Sequence, residues 1–388
     1  MEGRIRLGDI FTLVGGGTPS TSTEAYWGNG TPWFSSADIS LDGKIIYRRA
    51  VTPLGIKNST TNIVPAQTVV VVTRVGLGKV VKLPCDMCFS QDMQALQPTP
   101  QTPPYNESFL LYELTHIMKR VKFQGRGTTI SGITKKQLSD VVLYLPSLVE
   151  QKRIVARIEE LFSQLDASVA ELKTAKERLK VYRQAVLKEA FGEVTTHTPF
   201  GEIIDARLGK MLDKEKNTGD FHKYLRNINV RWFSFDLSNL LEMRIEADEI
   251  EKYSVSHNDL IICEGGEPGR CAVWDKQDSI FYQKALHRVR FLDNSNPRFY
   301  MYYLWFSAQS GQLCRYFTGT GIKHLTGQSL SRVIVPTADR TIQDSIVAEI
   351  ESRLSVCDSI ENTVDTALQQ AEALRQSILK KAFEGGLM

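Results

Sequence analysis

Arg-Gln-Ala-Val-Leu-Lys-Glu-Ala-Phe (183–191) returns as Arg-Gln-Ser-Ile-Leu-Lys-Lys-Ala-Phe (375–383), 192 residues further on. The same shift lays residues 130–192 on 322–384 without a gap, and 21 of those 63 positions are identical. Gln151, Ile154, Val155, Ala156, Ile158 and Glu159 fall on Gln343, Ile346, Val347, Ala348, Ile350 and Glu351. Outside this stretch the register continues more faintly. Leu7-Gly8-Asp9-Ile10 matches Phe200-Gly201-Glu202-Ile203 at a shift of 193, and Gly78-Lys79 matches Gly269-Arg270 at 191. Phe89 and Gln91 match Phe281 and Gln283 at 192. Two long helices share some residues by chance, but loops that match in register do not follow from that. The chain is a tandem duplication whose helical parts have stayed similar while its globular parts have diverged.

The repeated stretch is helical. An apolar seam runs Ile154, Ile158, Leu161, Leu165, Val169, Leu172, Ala175, Leu179, Tyr182, Val186, close to the alternating four-three spacing of a coiled coil. The second copy gives Ile346, Ile350, Leu354, Cys357, Ile360, Val364, Ala367, Ala371, Leu374, Ile378. Neither Pro nor Gly interrupts 148–191 or 340–384. Each helix is therefore about 40 residues and about 60 Å long at 1.5 Å per residue. One narrow stripe needs a partner. Residues 146–191 carry 9 basic and 7 acidic side chains, and 338–383 carry 5 and 8, which favours pairing the two copies. An antiparallel pair would set one globular domain at each end; two separate coiled coils that dimerise the chain are the alternative.

The globular halves are mixed. Short apolar strands (Val69–Thr73, Val141–Leu145, Leu260–Cys263, Val333–Val335) alternate with glycine turns such as Gly76–Lys79, Gly265–Arg270 and Gly319–Gly321. Pro146 and Pro336 close the last strand of each half. The expectation is an α+β fold: two globular domains in tandem duplication, each followed by a long helix. The divisions fall at 1–146, 147–192, 193–337 and 338–388.

Composition bounds the function. No apolar run approaches the roughly 20 residues of a membrane span. The N-terminal Met1–Gly17 carries no apolar core of signal-peptide kind, and six cysteines show no disulfide framework. A cytoplasmic protein is expected, with no membrane partner. Net charge is only +3, but residues 1–145 carry 15 basic against 10 acidic side chains and 268–335 carry 9 against 3, so basic surface is available in both halves. Residues 236–251 are acidic. Catalytic signatures are missing. Thr102-Pro103-Pro104-Tyr105 lacks the Asp or Asn that a methyltransferase uses to accept the adenine amino hydrogens. No Gly-x4-Gly-Lys-Ser/Thr loop is present. Cys85-x-x-Cys88 has no second Cys/His pair at zinc spacing and reads as strand packing. Neither metal nor cofactor is expected on this chain.

Gly-Gly-Gly-Thr-Pro-Ser-Thr (15–21) followed by Tyr-Trp-Gly-Asn-Gly-Thr-Pro-Trp-Phe-Ser-Ser-Ala-Asp-Ile-Ser (26–40) resembles the opening of a type I restriction–modification specificity-subunit recognition domain. So does the way each half ends, with 128–138 and 319–330 leading into a strand, then Gln-x-x-Ile-Val-Ala opening a long helix and Leu-Lys-x-Ala-Phe closing it. The second half departs at its start, where Arg207–Leu212 replaces Gly15–Ser20. The resemblance implies a non-catalytic, DNA-reading subunit of an adenine-N6 methyltransferase and endonuclease complex. Each recognition domain would read one half of a split site in double-stranded DNA, and the helices would set the gap. Two methyltransferase subunits and the restriction (motor) subunits would be the partners, carrying S-adenosylmethionine, ATP and Mg. Base reading needs polar side chains at groove edges, and phosphates need Lys, Arg or backbone N–H. The candidate DNA contacts are therefore Trp33, Ser35, Ser36, Arg74, Lys79, Arg126, Thr128, Lys135 and Lys136 in the first half. In the second they are Tyr224, Arg226, Asn227, Arg270, Thr320, Lys323, His324 and Gln328. A coiled-coil adaptor without DNA specificity is the competing expectation.

Overall fold

The computed structural model describes residues 4–40, 43–124, 132–213 and 217–384. It divides into two compact units, residues 1–172 with 366–388 and residues 173–365. Each unit thus holds one globular repeat, a part of the first long helix and a part of the second.

In the first unit an antiparallel sheet runs Phe11–Gly15, Met93–Pro98, Val69–Val72, Val80–Lys82 in spatial order. A three-stranded sheet, Arg49–Val51, Trp27–Phe34, Cys88–Phe89, lies beside it, its last pair parallel. All four valines of Val69–Val72 are buried. Val69 and Val71 pack with Leu110, Leu114 and Met118 of the helix Glu107–Gln124, while Val70 and Val72 pack with Phe34, Phe89 and Met93. An uninterrupted apolar run is what a strand covered on both faces requires, because alternate side chains point to opposite sides.

The second unit repeats this plan. One antiparallel sheet runs Ile204–Leu208, Leu286–Phe291, Leu260–Cys263, Cys271–Val273; the other runs Leu241–Ile245, Asp220–Leu225, Ile280–Tyr282, Ser254–Val255. Leu260 and Ile262 face the helix Pro297–Gln309, and Ile261 and Cys263 face the other core. A short ladder precedes the second long helix, His197–Pro199 on Ile334–Pro336, as Arg4–Arg6 on Val142–Tyr144 precedes the first. The α+β duplication is therefore structural.

One sequence match needs correcting. Trp33 pairs with Cys88 and Phe34 with Phe89, whereas Tyr224 pairs with Phe281 and Leu225 with Tyr282. Phe89 is thus the counterpart of Tyr282, not Phe281, although Phe281 is the identical residue. The strand register is set by which backbone groups pair, not by residue identity, and a one-residue slip reverses the face.

The long helices span Leu148–Gly192 and Arg340–Phe383. In the first unit Ile154, Ile158 and Phe162 pack on Ile378, Leu379 and Ala382. There Arg375 pairs with Asp166 and covers the Phe162 ring at 4.3 Å. In the second unit Leu187, Ala190 and Phe191 share a core with Val347, Ile350 and Leu354. Arg183 holds Asp358 and Glu361 at 2.7 Å, and Lys176 holds Asp365 at 2.7 Å. The start of one helix meets the end of the other in both units, so the two copies pair antiparallel within the chain, and the alternative of separate coiled coils is set aside. The seam is narrower than its heptads suggest. Tyr182, Ile360 and Leu374 are exposed, while Phe162, Leu187, Val347 and Leu379, outside the predicted seam, are buried. Two helices alone cover little more than one stripe each, and the helix ends pack on the globular parts as well.

Gln151 and Gln343, identical across the repeat, are both buried. Gln151 accepts from the Asn106 N–H at 2.8 Å and donates to the Pro146 carbonyl at 2.8 Å. Gln343 accepts from the Asn296 N–H at 2.6 Å and donates to the Ala338 carbonyl at 2.8 Å. Each glutamine ties the opening of a long helix to the helix of its own globular repeat, satisfying backbone groups that helix ends leave open.

Candidate functional site

The candidate residues gather at the loop ends of the sheets, by the same construction in each unit. In the first, Trp33, next to last in its strand, is buried, its indole N–H donating to the Gly17 carbonyl at 2.9 Å, with Trp27 edge-on at 5.3 Å. Ser35 caps the 3-10 turn Ser36–Asp38; its hydroxyl and N–H donate to the Asp38 carboxylate at 2.7 and 2.8 Å. Ser36 is itself buried. The loop Arg74–Lys79 bends back over this turn through Gly76 and Gly78, both at positive φ. A Cβ on Gly76 would lie 3.6 Å from the Ser36 Cβ. Lys79 then donates its ammonium to the Ser36 carbonyl at 2.9 Å and the Ile39 carbonyl at 2.7 Å. A third segment joins, because the Ile133 N–H donates to the Thr73 carbonyl at 2.7 Å. Thr134 beyond it caps the short helix Lys135–Ser139. Arg74, Lys135 and Lys136 are exposed. Arg126 and Thr128 lie outside the described residues.

The second unit repeats each step. Tyr224 is buried, and Arg226 caps the 3-10 turn Asn227–Asn229. Arg226 donates to the Asn239 carbonyl at 2.8 Å. The loop Gly265–Arg270 folds over the turn, and the Arg270 guanidinium donates to the Asn227 carbonyl at 2.9 Å and pairs with Glu267 at 2.7 Å. The Leu325 N–H donates to the Glu264 carbonyl at 2.7 Å, the counterpart of Ile133 on Thr73. His324 pairs backbone to backbone with Thr318, and Lys323 donates to the Gly319 carbonyl at 2.8 Å. Thr320 and Gln328 are exposed, Asn227 and His324 half-buried. Of the four loop cations, Lys79 and Arg270 donate to the backbone of the turn they cover and Lys323 donates to its own loop at Gly319, while Arg74 stands exposed.

The replacement of Gly15–Ser20 in the second half has a local reason. Gly16 and Gly209 both press on the opposite strand: an added Cβ would come 2.2 Å from the Phe89 carbonyl oxygen and 2.3 Å from that of Gln283. That glycine is kept. The next residue, Gly17 in the first half, is Lys210 in the second, and its buried side chain pairs with Glu246 and Glu249. Part of the acidic run 236–251 is thereby neutralised internally. Glu242, Asp248 and Glu251 of the same run stay exposed.

Sequence reasoning passed over the strand that flanks each cluster. Ile46, Tyr47, Arg48 and Arg49 stand exposed beside Trp27–Phe34, with Arg49 over the Trp27 ring at 5.5 Å. In the second unit Phe221 is exposed and carries Arg244 over its ring at 4.3 Å. Tyr47-Arg48-Arg49 was the available signal, cations next to an aromatic. The arrangement offers guanidinium, ammonium, hydroxyl and aromatic groups on loops pinned to a rigid sheet. No cluster of three or more His, Cys, Asp or Glu that would hold a metal ion occurs among the described residues. Cys88 is buried against Trp33 and Val51, and burial pushes its thiol up to about 11.

Residues 3–177 and 199–370 match the family model described as the type I restriction modification DNA specificity domain. The chain belongs to the type I DNA-specificity family. Each match runs from the globular repeat into its long helix, so the repeating unit of this specificity family is domain plus helix. The EcoBI specificity subunit of Escherichia coli is 25% identical over 319 residues, 73% of this chain and 66% of that relative. The EcoKI subunit of Escherichia coli (strain K12) is 26% identical over 289 residues, 69% and 62%. The StySPI subunit of Salmonella potsdam is 25% identical over 332 residues, 79% and 70%. The chain thus spans about two thirds of the length of these curated relatives. Among solved structures, a chain from a study of complex assembly and conformational transition of the type I R-M system aligns with a TM-score of 0.76 at 16% identity, over 99% of this chain and 97% of that one. The HsdS subunit of Thermoanaerobacter tengcongensis aligns at 0.56 with 17% identity, over 100% and 98%. Both share the fold.

Proposed function

We propose that this chain is the DNA-specificity subunit of a type I restriction–modification enzyme and has no catalytic site of its own. The observation that carries this reading is the double match to the specificity-domain model, one in each unit, coupled to the same three-segment loop cluster built twice. In this reading residues 1–146 and 193–337 each read one half of a bipartite duplex site. Residues 147–192 and 338–388 are the spacer. The clusters share a scaffold but not their outward side chains, so the two half-sites differ in sequence. The direct contacts come from the exposed groups, Arg74, Lys135, Lys136, Thr320, Lys323 and Gln328, and from Arg126 and Thr128, which lie outside the described residues. Ser35, Arg226, Asn227 and His324 are part-buried groups at the cluster's edge. Trp33, Ser36, Tyr224, Lys79 and Arg270 hold the shape of the reading surface.

Two methyltransferase subunits and the restriction subunits are the protein partners, and S-adenosylmethionine, ATP and Mg belong to them. The long helices support this: Val181, Tyr182, Val356 and Ile360 are left exposed in the second unit, apolar surface suited to further helices. No helix among the described residues is long and apolar enough to cross a membrane, and the reading places the complex in the cytoplasm with the DNA. The test is duplex binding by the purified methyltransferase complex across a salt series. A DNA reader loses affinity steeply as salt rises, because counterions released from phosphates are restored. Absence of duplex binding at low salt refutes the proposal.

A further inference from the structure

The two repeats part company where their backbones agree. Asn106 and Asn296 begin the helices Glu107–Gln124 and Pro297–Gln309 on the same glutamine contact. Phe109 therefore stands for Phe299, Glu113 for Tyr303 and His116 for Phe306. In the second unit this place is a filled aromatic cluster. Phe191 lies 5.3 Å from the rings of Phe299 and Tyr303 and 6.1 Å from Phe306, and the Tyr303 hydroxyl donates to the Ile334 carbonyl at 3.1 Å. In the first unit Phe383, the counterpart of Phe191, keeps Phe109 at 5.3 Å and stacks on His116 at 6.1 Å. Beyond them the space is open, a cavity of about 930 Å³. That is a volume typical of small-molecule sites.

Its wall carries Glu113, only 3% exposed. One carboxyl oxygen accepts from the Tyr144 N–H; the other has no partner among the described residues. An ionised carboxyl left alone there would cost several kcal/mol. Burial pushes Glu113 up to about 8 against the opposing pull of the Tyr144 N–H, so at neutral pH it holds its proton, a hydroxyl donor without an acceptor among the described residues. The surrounding charges come from every neighbouring element. Arg157 on the long helix pairs with Glu160 at 2.7 Å, and Glu384 meets Arg120 at 3.6 Å and His116 at 3.9 Å. Burial and Arg120 lower the His116 ring below its usual range. Glu150 leaves one buried carboxyl oxygen unpartnered. Arg4 and Arg153 line the cavity and make no ion pair among the described residues. Ile117, Ile154 and Phe383 supply an apolar side.

We propose that this cavity binds a small organic anion, its phosphate or carboxylate group held by Arg4, Arg153 and the Glu113 carboxyl, and its apolar body laid on Ile117, Ile154 and Phe383. The site is separate from the loop clusters and does not depend on the DNA-reading proposal. Isothermal titration of the full chain with AMP, benzoate and inorganic phosphate tests it. AMP and benzoate carry the apolar body, and the stronger of the two names the anionic group; inorganic phosphate binds more weakly than AMP. Arg153→Ala, an exposed change that leaves packing intact, weakens binding about tenfold or more, the range of a charge-assisted hydrogen bond. The pH profile is taken with benzoate, because phosphate has its own ionisation near pH 6. Binding weakens as pH rises through about 8. In Glu113→Gln, whose amide donates at any pH, binding persists and that fall disappears. The proposal is overturned if none of the three probes binds at about 10 mM, a concentration that reveals any site with a Kd near 1 mM. It is equally overturned if Arg153→Ala binds as the parent does, or if Glu113→Gln keeps the pH profile.

Discussion

Lys79 and Arg270 look in sequence like phosphate contacts, yet each donates to the backbone of the turn it covers: Lys79 to Ser36 and Ile39 at 2.9 and 2.7 Å, Arg270 to Asn227 at 2.9 Å. Replacing Lys79 with Met keeps the apolar stem and removes the donor. Two carbonyls lose a charged partner, a loss of about 1.5–3 kcal/mol for hydrogen bonds of this kind. If half of that or more is transmitted to the reading surface, affinity for the cognate first half-site falls about 3- to 100-fold, at 1.4 kcal/mol per factor of ten. The slope of log affinity against log salt stays the same, because no phosphate contact is lost. A lysine bound to phosphate would take about 0.9 from that slope. The assay is fluorescence anisotropy of the methyltransferase complex on a duplex carrying its methylated motif, between about 50 and 200 mM salt. Lys136→Ala, an exposed cation in the same cluster, serves as the positive control and lowers the slope. Arg270→Met affects the second half-site alone. A slope reduced by about 0.9 in Lys79→Met would refute the clamp and make Lys79 a direct phosphate contact.

Gln151→Ala and Gln343→Ala each leave a buried N–H and a carbonyl without a partner, about 2–4 kcal/mol together. Hydrogen exchange should show deprotection of the helix start at Asn106 in the first variant and at Asn296 in the second, each leaving the other unit unchanged. Glu113 makes the first unit's stability pH-dependent. Its folded value of about 8 lies above the ordinary carboxyl value of 4.5. The folded state therefore holds a proton the unfolded chain has released, so the Glu113 contribution to stability is largest below pH 4.5 and declines as pH rises to about 8. Urea unfolding monitored in that window should show the decline, and Glu113→Gln should flatten it. Four residues inserted in register into both long helices add about 6 Å, or about two base pairs of gap, with each half-site unchanged. Changed half-sites with a constant gap, read by methylation mapping, would remove the helices from the spacer role.

The duplication was legible because its most similar residues are those that the paired helices and the buried glutamines hold in place. Gln151 and Gln343 stood out as identities before their hydrogen bonds gave the reason. The loop match Gly78-Lys79 with Gly269-Arg270 was legible too, since the turn needs glycine at positive φ and the cation reaches a backbone carbonyl, which any sequence provides. The Phe89 register was not legible, because an identical phenylalanine lies one residue from the position that the ladder selects. The exposure of Tyr182, Ile360 and Leu374 was hidden as well: a heptad records which residues are apolar, not how wide a face the partner covers. Glu113 left no signal at all. An acid on an amphipathic helix reads as solvated, and only its counterpart Tyr303 and the missing aromatic at His116 show that the space around it is open.

The central claim is that this one chain chooses a split DNA sequence for its partners. A long-read map of N6-methyladenine in the source genome, with the gene intact and with it deleted, tests that most directly. The account predicts a bipartite motif with a fixed gap that is methylated in the first case and lost in the second. A genome whose methylated motifs are the same with and without the gene, while the partner methyltransferase is expressed, would contradict it.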